Sequence, residues 1–125
     1  MTKHILVVDD NDLNRMLISK ILELEGYQVT LAGNGIAAIE AVTNAMPDLA
    51  ILDVMMPDMD GYELCRKLRQ PPINAKIPIV MLTAMSSEEE RKLALAAGAN
   101  DIWSKPFDFD VFRKSVGELL KDKPV

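Results

Sequence analysis

The chain has 125 residues, 49% of them hydrophobic and 26% charged, with a net charge of −5. That length fits one domain spanning 1–125 around a single packed core, with no need for covalent staples. An acidic balance without a Lys/Arg cluster argues against nucleic acid as a direct partner.

The opening Met1-Thr2-Lys3-His4 precedes only four apolar residues, too few for a secretory signal, and no run approaches membrane-spanning length. A lone Cys65 excludes an internal disulfide and fits a reducing compartment, so the expected location is cytoplasmic, with no membrane partner. Ile5 to Val8 reads as a short buried strand running into Asp9-Asp10. Asn11 or Asp12 caps a helix on which Leu13, Met16, Leu17, Ile21 and Leu24 recur at helical spacing, and Gly26 ends it. Tyr27 to Leu31 is the second strand. Asn34-Gly35 opens a second helix carrying Ile36, Ile39, Val42 and Met46, which stops before Pro47.

Leu49-Ala50-Ile51-Leu52 reads as a strand buried on both faces, and it ends in Asp53. Pro57, followed by Asp58-Met59-Asp60-Gly61, turns the chain. Tyr62, Leu64, Cys65 and Leu68 mark a short helix that ends before Pro71-Pro72. A fourth buried run, Ile77 to Leu82 with Pro78 near its start, ends in Thr83-Ala84. Ser86 and Ser87 each have a glutamate three residues later, Glu89 and Glu90, which is the capping-box pattern of a helix start. Gly98 closes that helix. Asp101 to Ser104 is a fifth strand leading into Lys105-Pro106. Asp108 caps a last helix with Phe109, Phe112, Val116, Leu119 and Leu120 as its apolar stripe, fraying at Lys123-Pro124-Val125.

Strand and helix alternate five times. The expected architecture is a doubly wound α/β fold, a five-stranded parallel sheet with helices on both faces and right-handed crossovers. In such a sheet the carboxyl ends of all strands share one edge, where ligands bind. That edge would collect Asp9, Asp10, Asp53, Thr83 and Lys105. Two carboxylates about 5 Å apart repel by roughly 3 kcal/mol at an effective dielectric near 20. Three carboxylates against one lysine leave two uncompensated negative charges, which one Mg²⁺ would cancel, and hard oxygen ligands suit that ion. Asp53 could then attack phosphorus and form an aspartyl phosphate, with Lys105 and Thr83 on phosphoryl oxygens. Taken singly, Asp9 or Asp10 is as readily a helix cap or a solvated loop residue, whereas Asp53 follows a fully apolar run with no helix start beside it to cap. Their joint placement at one edge favours chemistry.

Four segments, Val7-Val8-Asp9-Asp10-Asn11, Leu52-Asp53-Val54-Met55-Met56-Pro57 with Asp60-Gly61, Leu82-Thr83-Ala84 and Ser104-Lys105-Pro106-Phe107, resemble the receiver domain of bacterial two-component response regulators. The resemblance implies a flavodoxin-like sheet of order 2-1-3-4-5 and a switch of protein–protein contacts in a phosphorelay. It implies Asp53 as phosphoacceptor, and Mg²⁺ held by Asp9, Asp10, Asp53 and the Met55 carbonyl. Thr83 and Lys105 would bind the phosphoryl oxygens, with Thr83 carrying the switch.

The implied partners are a histidine kinase or histidine phosphotransfer protein as donor and a downstream protein as output. The first helix and the Pro106-Phe107 loop would face the donor, with Leu13, Met16 and Phe107 as contacts. The fourth and fifth helices with the fifth strand would face the output. The chain would catalyse only its own phosphorylation and slow dephosphorylation. Met55 and Met85 would flank the hydrolytic water and slow it.

The resemblance departs from the family at one place: Ile102 stands where an aromatic is usual, three before Lys105. Trp103 stands one place later, on the other face of the strand.

Two other readings stay open. Gly33-Asn34-Gly35-Ile36-Ala37-Ala38 fits the G-x-G-x-x-A of a dinucleotide-binding domain, with Asp53 as its ribose acid. A phosphohydrolase using Asp53 as a transient nucleophile usually has a second acid two residues on, where this chain has Met55. No P-loop pattern occurs. The chain is either a stand-alone regulator or a receiver module of a larger regulator or hybrid kinase.

Overall fold

The computed structural model describes residues 2–84, 87–106 and 108–121. Ten elements alternate: β1 (His4–Val8), α1 (Asp12–Leu24), β2 (Gln28–Ala32), α2 (Gly35–Asn44), β3 (Leu49–Asp53), α3 (Gly61–Arg69), β4 (Ile79–Thr83), α4 (Glu88–Ala96), β5 (Asp101–Ser104) and α5 (Phe109–Leu120). All pairings are parallel, as the alternation of elements predicts, and the strand order is β2-β1-β3-β4-β5, as the family resemblance implies. The tail expected to fray from Lys123 lies outside the described residues.

Period-two alternation along the central strands splits the core in two. Leu6, Val8, Ala50, Leu52, Ile79, Met81 and Ile102 face α2, α3 and α4. Ile5, Val7, Leu49, Ile51, Val80 and Leu82 face α1 and α5, where Ile18, Leu22, Phe112 and Val116 pack on them. Every residue of β3 and β4 is buried, which is why these strands read as unbroken apolar runs.

Side-chain oxygens cap the helices. Asn11, Asn34, Asp60 and Ser87 each accept the N–H three residues on, as Asp108 does from Val111. Gly26 and Gly98, at φ +90° and +102°, close α1 and α4 in Schellman motifs. Tyr27 donates to the Leu22 carbonyl, and Ala99 donates to that of Ala94.

Two expectations shift. The face of α1 that meets the sheet is Ile18, Ile21 and Leu22, while Leu13, Met16, Leu17 and Leu24 stand exposed, Leu13 at 75%. The helix carries two apolar stripes and the sheet can bury only one; Arg15, donating to the Asp9 carbonyl at 2.6 Å, fixes the rotation. On α2, Ile36 is exposed likewise, and Met46, expected on that helix, lies beyond its end at Asn44 and is also exposed. β4 begins at Ile79 rather than Ile77, because the Ile77 carbonyl is taken by Arg69 at 2.6 Å and Pro78 has no N–H to pair.

Candidate phosphoacceptor site at the carboxyl edge

Asp9 continues the β1 ladder by one bond, its N–H donating to the Ala32 carbonyl at 3.1 Å. Its carboxylate is 1% exposed. Oδ1 accepts the Asn11 N–H at 2.9 Å, and Oδ2 accepts no hydrogen bond among the described residues, with the Lys105 ammonium 3.8 Å away. A buried carboxylate oxygen without a donor costs on the order of 1–3 kcal/mol, so it marks a place built for something else.

Asp53 ends β3, paired with Leu82 of β4, and is also buried. The chain folds back tightly behind it. Gly61 donates to the Val54 carbonyl at 3.0 Å, and a Cβ on Gly61 would stand 2.5 Å from the Asp53 carbonyl oxygen. Only glycine lets α3 start so close to the strand. Met59 and Pro57 close the turn with a 2.8 Å bond, and Asp58 takes φ +70°, a left-handed conformation that aspartate tolerates.

Lys105 enters from β5. Its N–H donates to the Thr83 carbonyl at 2.7 Å, and its ammonium donates to Asp53 Oδ1 at 3.1 Å. Burial still pushes the Asp53 carboxyl above its ordinary value. The Lys105 hydrogen bond opposes that shift, and the charges of Asp9 and then Asp10 add to it.

Asp10 is exposed, yet one carboxylate oxygen from each of Asp9, Asp10 and Asp53 lies within 4.8 Å of the others. Three carboxylates against one ammonium, one buried oxygen lacking a donor, and only oxygen ligands fit a hard divalent cation.

Thr83, 3% exposed, ends β4. Its hydroxyl donates to Glu90 Oε2 at 3.2 Å, and the Tyr62 hydroxyl donates to the same oxygen at 3.0 Å.

The response regulator receiver domain pattern matches residues 5–117 of the chain. The chain belongs to this family of receiver domains. It is 42% identical over its whole length to the response regulator PleD of Caulobacter vibrioides, covering 28% of that protein. It is 41% identical over 97% of its length to the response regulator MprA of Mycobacterium ulcerans, covering 51% of it. The chain thus spans between about a quarter and half the length of these curated relatives. Among solved structures, Vibrio cholerae CheY4 superposes with a TM-score of 0.91 at 32% identity, covering 96% of this chain and 100% of that one. The receiver of a Syntrophus aciditrophicus histidine kinase gives 0.85 at 38% identity, covering 95% and 90%.

Of the receiver residues singled out in the sequence, Asp9, Asp10, Asp53 and Lys105 converge. Thr83 shares the edge but directs its proton to Glu90. Met55 lies in the loop after β3 with 74% of its surface exposed. Met85, Ser86 and Phe107 lie outside the described residues.

Ile102 is buried on the α4 side of the sheet. Trp103 points to the other face, edge-on to Phe112 with centroids 5.7 Å apart, a packing role. The glycines of the dinucleotide pattern answer to packing as well. A Cβ on Gly35 would meet Met59 Sδ at 2.4 Å, and one on Gly33 would meet the Arg15 guanidinium at 3.1 Å.

The sequence pattern assigned Glu90 and Tyr62 only local roles, in a capping box and on a helix, and did not single out Arg15. Glu90 had a sufficient local explanation as a capping-box acid, and nothing in the pattern ties Tyr62 or Arg15 to the edge.

Proposed function

We propose that this receiver accepts one phosphoryl group on Asp53 and thereby switches its protein contacts. The observation that carries the reading is the pairing of Asp53 with Lys105 at 3.1 Å beside the donorless, buried Oδ2 of Asp9.

In the reaction, a carboxylate oxygen of Asp53 attacks phosphorus in line. The bond from phosphorus to the donor's imidazole nitrogen breaks, and its electron pair leaves with the donor. Lys105, already against Asp53, neutralises a phosphoryl oxygen, and the Thr83 hydroxyl donates to another. Asp9, Asp10, Asp53 and the Met55 carbonyl are proposed to hold Mg²⁺, which when bound offsets negative charge on the phosphoryl oxygens.

The donor is proposed to be a histidine kinase or a histidine phosphotransfer protein. Its docking face would be the exposed Leu13, Met16 and Leu17 of α1 with the adjoining groove of about 610 Å³, which Asn14, Lys105, Pro106 and Phe109 also line. The output partner is proposed to be a protein that reads α4, β5 and α5. No helix among the described residues is long and apolar enough to cross a membrane, and a cytoplasmic location suits the free, buried Cys65. The protein is proposed to be a stoichiometric phosphoacceptor rather than a turnover enzyme. Its phosphoryl group is proposed to leave slowly, because Met55 and Met85 offer water no polar guide.

Incubation with Mg²⁺ and acetyl phosphate, followed by intact mass, tests the reading. The wild type should gain one phosphoryl group and Asp53→Ala none. Equal gain by both, or rapid multiple turnover of phosphate esters, would refute it.

A further inference from the structure

The first turn of α4 carries Glu88, Glu89 and Glu90 behind the Ser87 cap. In a capping box the third of these returns its carboxylate to the cap residue's own N–H. Here half of that arrangement forms: Ser87 Oγ accepts the Glu90 N–H at 3.1 Å. The Glu90 carboxylate turns inward instead, and a single oxygen, Oε2, receives Thr83 of β4 and Tyr62 of α3. Burial, and then the Glu90 bond, push the Tyr62 phenol up to about 12, so it remains a donor throughout the physiological range. The acid therefore joins three elements at the edge where Asp53 sits.

Thr83 has one hydroxyl proton. While Glu90 accepts it, a phosphoryl oxygen on Asp53 cannot. Being 3% exposed, the hydroxyl cannot turn to bulk water instead, so it has to change acceptors. Ile102, buried beneath α4, offers no polar group to take part.

We propose that Glu90 is a positioning residue that competes with the phosphoryl group for the Thr83 hydroxyl and transmits its transfer to α4 and Tyr62. This rests on the phosphoacceptor reading above. Turning the hydroxyl to the phosphoryl group leaves Glu90 holding Tyr62 and removes this hydrogen bond between β4 and the first turn of α4. The state of Asp53 is thus reported to α3 and α4 through a carboxylate.

The test is the apparent affinity of the Mg²⁺-loaded protein for beryllofluoride, a phosphoryl mimic, read by ¹⁹F NMR and paired with the Thr83 methyl shift. Glu90→Ala should bind about fivefold more tightly than wild type, which converts to ~1 kcal/mol, the usual worth of one hydrogen bond. In the unliganded variant the Thr83 methyl should already sit nearer its bound position. Glu90→Gln keeps an acceptor and should fall between the two.

In a Thr83→Ala background, Glu90→Ala should give no gain, because the competition has lost its object. A gain that persists there, or is equal in Gln and Ala, would mark simple removal of charge and overturn the proposal. So would unchanged affinity in Glu90→Ala with a lower melting temperature, the signature of a merely structural contact. Phosphorylation of the wild type at Asp53 by acetyl phosphate is run alongside. If it occurs and Glu90 has no effect, this inference alone fails; if it does not occur, the phosphoacceptor reading fails first.

Discussion

The two edges of the sheet are built on opposite terms. At the amino edge nearly every polar group named has a partner. Arg69, at the end of α3, donates to the carbonyls of Gly98, Ala75 and Ile77 at 2.9, 3.0 and 2.6 Å and to Asn100 Oδ1 at 3.1 Å. Asn100 exchanges two further bonds with the backbone of Ile79. His4 and Asp48 bond each other through a carboxylate and a carbonyl, at 2.8 and 2.7 Å. At the carboxyl edge, among the described residues, two buried carboxylates share one ammonium and one carboxylate oxygen has no donor. The satisfied edge holds the strands in register. The other can keep unsatisfied charge because of it.

Breaking the charged edge should hurt chemistry most. Lys105→Ala removes the cation that meets Asp53, and phosphoryl gain from acetyl phosphate should slow by roughly 10²-fold or more, as when a preorganised donor is lost. A time course by intact mass at fixed Mg²⁺ measures it, and an unchanged rate would show that Lys105 is only a structural counterion.

Breaking the satisfied edge should hurt the fold instead. Arg69→Ala strands several carbonyls at once and should cost about 2–3 kcal/mol in chemical denaturation, with the rate of phosphoryl gain per folded molecule unchanged. A stability loss below about 0.5 kcal/mol would mean that water replaces the guanidinium freely.

How much of this contrast was legible in the sequence follows from where each partner comes from. Asp53 closes an apolar strand, and Asp9 and Lys105 each directly follow a strand, so parallel topology alone put them on one edge. β3 and β5 were legible to the residue for the same reason. The α1 face was not, because Leu13, Met16 and Leu17 compete with Ile18, Ile21 and Leu22 at the same helical period, and only the sheet decides between them. Arg69 was invisible because three of its four acceptors are backbone carbonyls, which carry no sequence signature. Glu90 was hidden by an adequate local role.

A smaller effect sharpens the comparison. Because the Asp53 carboxyl is raised by burial, the folded state holds its proton more tightly than the unfolded chain does. Its ionised form therefore lowers stability at neutral pH. Asp53→Asn, with Mg²⁺ chelated, should raise stability by on the order of 1 kcal/mol at pH 7. That gain should shrink as pH falls through the raised carboxyl's titration and into the ordinary aspartate range, where the wild type is neutral as well. Denaturation series at several pH values would show the convergence; a gain independent of pH, or a loss at pH 7, would mean that Lys105 fully compensates the buried charge.

The most direct test of the account is to locate the modification. After acetyl phosphate and Mg²⁺, borohydride reduction converts an aspartyl phosphate to homoserine, and peptide mass mapping reports which residue changed. The account predicts homoserine at position 53 and at neither 9 nor 10. Homoserine at either of those positions, or none anywhere in a chain that has gained phosphate, would contradict it.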